Sequence, residues 1–215
     1  MPTSSKLART LLLLLLALGA FLRLVDLDDE PIDFHPTRQL RGAIVARGIY
    51  YALNPAFDSD VRQRAVAFQQ STGQYEPPLL ENAVALTCLA LRRGAVQECP
   101  YIPIGRLYNT ALWLLGGLAL YALARRLSGA GTAGDAAALI SLAYYLILPF
   151  SVQASRSFQP DPAMTVWQVL AAYALVRWAE PLTARKQSSW KWAVLAGLLA
   201  GLAILTKAVA VYAMA

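Results

Sequence analysis

The sequence predicts an all-α fold: a polytopic membrane helix bundle of about five spans plus the start of a sixth, with amphipathic helices in a long first external loop. Three observations predict it. Hydrophobic residues make up 57% of the 215 positions and charged residues 15%, whereas soluble chains carry roughly 45–50% and about 25%. The apolar residues fall in long blocks, and the mean hydropathy is +0.45. The short segments that carry basic residues between the blocks alternate in a way that puts them on one side. The net charge of +6 does not point to nucleic acid, because the basic residues form no dense stripe interleaved with aromatics.

In chain order, the whole of 1–215 reads as a single transmembrane domain. Lys6 and Arg9 precede Leu11–Val25, which contains six consecutive leucines. This resembles a signal peptide, with Ala17-Leu18-Gly19 as a tolerable cleavage site. Arg23 and the lack of a clean small-residue site farther on argue for an uncleaved first span over 8–27, close to the roughly 20 residues a bilayer requires. Residues 28–104 form a long polar loop on the other side. Within it, Arg38, Arg41 and Arg47 alternate with Leu40, Ile44, Val45 and Ile49 at helical spacing, which predicts an amphipathic helix along the membrane surface. Pro36 suits its start and Asn54-Pro55 breaks it. A weaker helix is expected over Val61–Gln70, and another interfacial one over Leu79–Leu91, too short to span. Further spans are expected at 105–124, 135–150, 163–178 and 192–206, with 207–215 starting another. The N-terminus, Arg125-Arg126 and the basic Arg177–Lys191 segment then share the cytoplasmic side of a plasma (inner) membrane. The 28–104 loop and Ser151–Pro162 share the external side. Ending inside an apolar run, the chain reads as C-terminally truncated, so a partner chain supplying further spans is an expectation too. Gly197 and Gly201 form a small-xxx-small pattern that suits close helix packing.

Titratable residues gather just past the first span. Asp26, Asp28, Asp29, Glu30, Asp33 and the single histidine, His35, lie there, where ionised groups can stay out of hydrocarbon. The second external loop brings Ser155-Arg156 and Pro160-Asp161. A carboxylate at the bilayer surface can serve as a general base or hold a hard divalent cation, and Arg156 can clamp a phosphate with its planar fork. Such acids and arginines also cap helices and pair in solvent. Lys207, in an otherwise apolar run, can meet a phosphate or snorkel to the interface. His35 can ligate metal, although a lone histidine is more often a local hydrogen-bonding residue. Cys88 and Cys99 are too few for a disulfide framework and lack metal-ligand spacing. One bridge in an oxidising compartment and two buried thiols are both open.

The layout resembles GT-C-type membrane glycosyltransferases, in particular the group of dolichyl-phosphate-mannose protein mannosyltransferases and aminoarabinose-lipid A transferases. Four features carry the likeness: the Asp28-Asp29-Glu30 cluster after the first span; Tyr75-Glu76-Pro77-Pro78-Leu79 before a short helix; Ser155-Arg156 through Pro160-Asp161; and Gly201-Leu202-Ala203-Ile204-Leu205-Thr206-Lys207 at the end of a span. The resemblance implies a polyprenyl-phosphate sugar donor drawn from the membrane lipid and transfer to an acceptor hydroxyl on the external face, with inversion. Asp29 or Asp33 would be the base, Glu30 and Asp161 supporting acids, and Arg156 and Lys207 the groups that meet the lipid phosphate. A divalent metal ion, where one is used, would fall to Asp29, Glu30 and His35. The segment Asp33–Gln39 departs from the group's usual sequence, which leaves the base open between Asp29 and Asp33. The rival reading is an inactive GT-C-like membrane scaffold; a transporter is disfavoured because polar groups are scarce near mid-membrane.

Overall fold

Ser5 caps the first helix, its Oγ accepting from the Ala8 amide at 3.1 Å, and the leucine run that follows carries it to the acidic turn. The computed structural model describes residues 5–32, 34–73, 75–91, 96–183 and 189–214. Among these there is no strand. The helices are α1 (Lys6–Leu24), α2 (Pro36–Leu53), α3 (Ser59–Ser71), α4 (Leu79–Leu91) and α5 (Tyr101–Leu127). They continue as α6 (Thr132–Ile147), α7 (Pro149–Arg156), α8 (Asp161–Thr183), α9 (Trp190–Thr206), a 3-10 turn at Ala208–Ala210 and α10 (Val211–Met214).

By length and composition, α1 and α5 can cross a membrane, and α6 with α7, bent by 60° where they meet, can make a third span. Among the described residues two or three spans are therefore shown by length and composition, out of the five expected. α9 has 17 residues, roughly 26 Å of helix against a hydrocarbon core of about 30 Å. α8 is long enough at 23 residues, but its sequence is less apolar.

The sequence reads as one domain, and the chain divides into two compact units. The first comprises Met1–Val25, Thr110–Ser155 and Asp161–Ala215; the second comprises Asp26–Asn109 and Arg156–Pro160.

In the first unit, charged pairs mark one end of the bundle. Asp135 accepts from the Ser5 amide at 3.3 Å and pairs with Arg125 at 2.7 Å, while Arg126 reaches Glu180 at 2.5 Å. The starts of α1 and α6 and the ends of α5 and α8 thus lie together. Towards the other end of α1, Arg23 is fully buried. It donates from Nε to Ser155 Oγ at 2.7 Å and from Nη1 to the carbonyls of Gly19 and Leu146 at 2.8 and 3.0 Å. Backbone carbonyls thereby satisfy most of a guanidinium that an apolar helix could not otherwise hold. Trp113 stacks on Tyr145 with centroids 4.3 Å apart, and α8 packs along α9. Among the described residues Gly197 and Gly201 meet no close neighbour: nothing lies within 4 Å of a Cβ built at either.

In the second unit, α2 packs against both α3 and α4. Its buried stripe is Gln39, Gly42, Ala46 and Tyr50, at helical spacing. Of the apolar face expected to lie on the membrane, Val45 is buried and Ile49 packs against the core, while Leu40 is exposed. Tyr50, Tyr51, Phe57, Val84, Ala85 and Phe158 fill the core. Cys88 and Cys99 form a disulfide, which resolves the alternatives left open by sequence and ties the α4 end to the segment before α5.

Candidate functional site

The acidic turn begins where α1 ends. Val25 leaves the helix in an extended conformation, and Asp26 adopts φ +53°, a left-handed setting that aspartate tolerates better than most residues. The Asp29 amide then donates to the Asp26 carbonyl at 3.2 Å. This reversal points the carbonyls of 26, 27 and 29 the same way, and Arg106 meets them. Its Nη1 donates to Leu27 and Asp29 carbonyls at 2.8 Å each, with Asp26 farther at 3.5 Å. The side chains of Asp26, Asp28, Asp29 and Glu30 stay exposed. The backbone of the turn is thus held from beneath by a buried cation while its carboxylates face outward.

Gln39, buried in the first turn of α2, extends this network. Its Oε1 accepts from Arg106 Nε at 3.3 Å and from the Phe158 amide at 3.2 Å, and its Nε2 donates to the Phe34 carbonyl at 2.7 Å. One helical turn beyond Arg106, Asn109 Nδ2 donates to the Ser157 and Gln159 carbonyls at 2.7 and 2.8 Å. Phe158 is buried between these contacts and lies on Gly42 and Gly105, where a Cβ at Gly105 would overlap its ring. The segment that follows Arg156 is therefore fixed by Gln39 and Asn109, and Gln39 links it to Arg106, which fixes the acidic turn. The acidic turn and residues 157–159, more than a hundred residues apart in sequence, thus share one polar network within the second unit.

The predicted site residues distribute as follows. Asp29 and Glu30 stand on the outward face of this turn, and Arg156 is half-buried at the end of α7, in the same unit. Asp33 lies outside the described residues. His35 takes the N-cap position of α2 at φ +46° without capping the helix through its side chain, and its ring meets Phe34 edge-on at 4.5 Å. Among the described residues no three His, Cys, Asp or Glu side chains are grouped as ligands for a metal ion. Asp161 and Lys207 belong to the first unit. Asp161 lies in the first turn of α8 and Lys207 caps α9, and they form an ion pair, Nζ to Oδ1 2.5 Å. Two residues expected to act separately are thereby brought together.

Arg106, Gln39 and Asn109 were not singled out from sequence. For the first and last a signal existed: Arg106 and Asn109 are polar, three residues apart and inside an apolar helix, a pattern that in a membrane segment marks function or a buried network. Gln39 carried no such signal. Elsewhere in the unit, Glu81 is buried on α4. Burial raises its pKa, an effect that Glu76 adds to and that its own backbone amide and Arg41 partly offset.

Apolar helices of spanning length, together with an acidic turn and a cationic segment sharing one polar network, define an all-helical protein of the membrane with a polar site at a helix end. The comparison with known families makes this specific. Residues 104–215, more than half of the chain, match the family described as dolichyl-phosphate-mannose-protein mannosyltransferase, and the chain belongs to that family. It points to a membrane glycosyltransferase of the GT-C type. No curated protein and no solved structure matches the chain.

Proposed function

We propose that this chain transfers a sugar from a polyprenyl-phosphate donor to an acceptor hydroxyl, with inversion, on the external face of the plasma membrane. The observation that carries the reading is the shared anchoring of the acidic turn and the 157–159 segment by Gln39, Arg106 and Asn109. It gives a carboxylate and a cation fixed places in one unit. Family membership supports the lipid-linked donor. The Cys88–Cys99 disulfide lies in that same unit and suits an oxidising, non-cytoplasmic space. A five-span topology with a cytoplasmic N-terminus belongs to this proposal.

In this mechanism Asp29 or Asp33 takes the proton of the acceptor hydroxyl as its oxygen attacks the anomeric carbon. The bond from that carbon to the phosphate oxygen breaks, and the polyprenyl phosphate departs with the electron pair. Arg156 offsets the charge that builds on the leaving phosphate, and Glu30 is a supporting acid beside the base. Within the first unit, Lys207 as a phosphate-binding group and Asp161 as a supporting acid are held to each other by their ion pair. A divalent ion at Asp29, Glu30 and His35 would add a further positive charge, but these residues form no ligand group among those described, and no step is routed through it.

The test is sugar transfer by membranes holding the chain, supplied with radiolabelled polyprenyl-phosphate sugar. Asp29→Asn or Asp33→Asn should abolish transfer, and Arg156→Ala should weaken donor use with folding intact. Full transfer in both carboxamide variants would remove the base assignment. No transfer by the parent, with donor still bound, would favour a binding scaffold.

A further inference from the structure

In the second unit, α2, α3 and α4 surround a half-open cavity of about 240 Å³ lined by Arg41, Gln69, Gln70, Glu76 and Glu81, with Val45 and Pro78 among its apolar walls. Its polar groups are only partly matched to each other. Arg41 donates from Nη2 to the Gly73 carbonyl at 2.7 Å, but its Nη1 stands 3.8 Å from Glu76 Oε2, too far for a hydrogen bond. Arg38 takes Glu76 Oε1 at 3.0 Å. Arg41 Nε and Glu76 Oε2 are buried and have no hydrogen-bond partner, and Glu81 is 8% exposed. Buried donors and acceptors left without partners in a cavity call for water or a ligand. Gln69 can line it because Gly48 lies beneath: a Cβ there would fall 2.6 Å from Gln69 Cβ.

We propose that this cavity binds a neutral polyhydroxylated ring, the chemistry of a sugar. The inference goes beyond transfer, since binding here requires no reaction. The choice follows from what the orphaned atoms need. Arg41 Nε requires an acceptor and Glu76 Oε2 requires a donor, and a hydroxyl supplies both from one atom. A phosphate could satisfy the arginine but would confront Glu76 and Glu81. An ammonium could satisfy the carboxylates but would leave Arg41 Nε unmet. The two glutamine amides carry donors and acceptors in equal measure, as a ring with several hydroxyls demands. Beside the opening, Tyr75 lies against the Arg41 guanidinium at 4.9 Å and is largely exposed, so its ring edges the route by which such a ligand would enter.

Glu81 separates binding from structure. Burial of the Glu81 carboxyl costs stability when it is ionised, so Glu81→Met, of similar shape, should leave the thermal midpoint unchanged or raise it. The experiment is saturation-transfer NMR on the full chain in a non-glycosidic detergent, with methyl pyranosides of glucose, mannose and galactose as probes. The parent should show transfer to ring protons. Glu81→Met should weaken it on the order of tenfold, as the loss of one charge-assisted hydrogen bond does. Gln70→Trp, which fills the opening from an exposed position, should abolish it. Glucosamine and glucose 6-phosphate should compete less well than the neutral glycosides. The proposal is overturned if the parent gives no transfer, meaning the cavity holds only water. It is equally overturned if Gln70→Trp and Glu81→Met bind as the parent does, or if a charged analogue outcompetes the neutral ones.

Discussion

Replacing Arg106 with methionine tests whether a buried cation holds the acidic turn. The side chain is almost completely buried, and methionine matches its stem while removing every donor. Two short hydrogen bonds are lost, Nη1 to the carbonyls of Leu27 and Asp29 at 2.8 Å each, together with the longer Nε contact to Gln39 at 3.3 Å. Charge-assisted bonds contribute about 1.5–3 kcal/mol apiece, so the short pair alone sets a loss of at least about 3 kcal/mol. The turn is exposed, and water can take over part of what the freed carbonyls lose, which brings the expected destabilisation to about 2–3 kcal/mol. Arg106→Lys restores one point charge without the fork and should recover about half of the loss. Thermal unfolding in micelles measures the stability, and transfer of labelled sugar measures the site. Transfer should fall more than about tenfold in Arg106→Met, because a base displaced by an ångström loses that much. If Arg106→Met unfolds within about 0.5 kcal/mol of the parent, the ordinary range for a surface change, the guanidinium does not hold the turn. The account of the site would then fail.

Three further outcomes follow from the second unit. Gly105→Ala places a methyl group in the Phe158 ring and should cost about 1–3 kcal/mol, as overpacking does; a thermal midpoint equal to the parent's would show that Phe158 is not locked there. Reduction of Cys88–Cys99, separated by 11 residues, or the double change to serine, should cost about 2–3 kcal/mol of unit stability, read as a lower midpoint with dithiothreitol than without. Burial raises the Glu81 pKa, so the folded state binds more protons than the unfolded one between the ordinary glutamate value and the raised one. Stability should therefore fall as pH rises through that window, and Glu81→Gln should flatten the fall; parallel pH profiles for parent and variant would contradict it.

Most of the helical layout was legible because it rests on local signals. Apolar runs and their breaks, such as Asn54-Pro55 after α2, are written in neighbouring residues. The span count was harder, because a run such as Ala193–Leu205 reads as apolar whether or not the helix around it reaches across hydrocarbon. Burial within α2 was not legible for a related reason. Periodicity identifies a stripe, but Leu40 and Gln39 are adjacent, and only the partner helices decide that the glutamine goes inside. The site divides along the same line. Its acids were visible as a cluster beside a membrane segment. The side chains that fix their backbone were not, since Arg106, Gln39 and Asn109 bind mainly main-chain groups, and a carbonyl looks alike under any residue. The Asp161–Lys207 pair stands between these cases: both residues were picked out by separate motifs, yet nothing in either motif stated that one holds the other. Membrane sequences make this asymmetry acute. Carboxylates stand out against an apolar background, whereas a buried arginine satisfied by carbonyls, at Arg23 as at Arg106, looks from sequence like one more interfacial charge. A polar residue inside an apolar helix is thus better read as a demand for distant backbone partners than as a surface group, and Arg106 and Asn109, one turn apart on α5, would have been found that way.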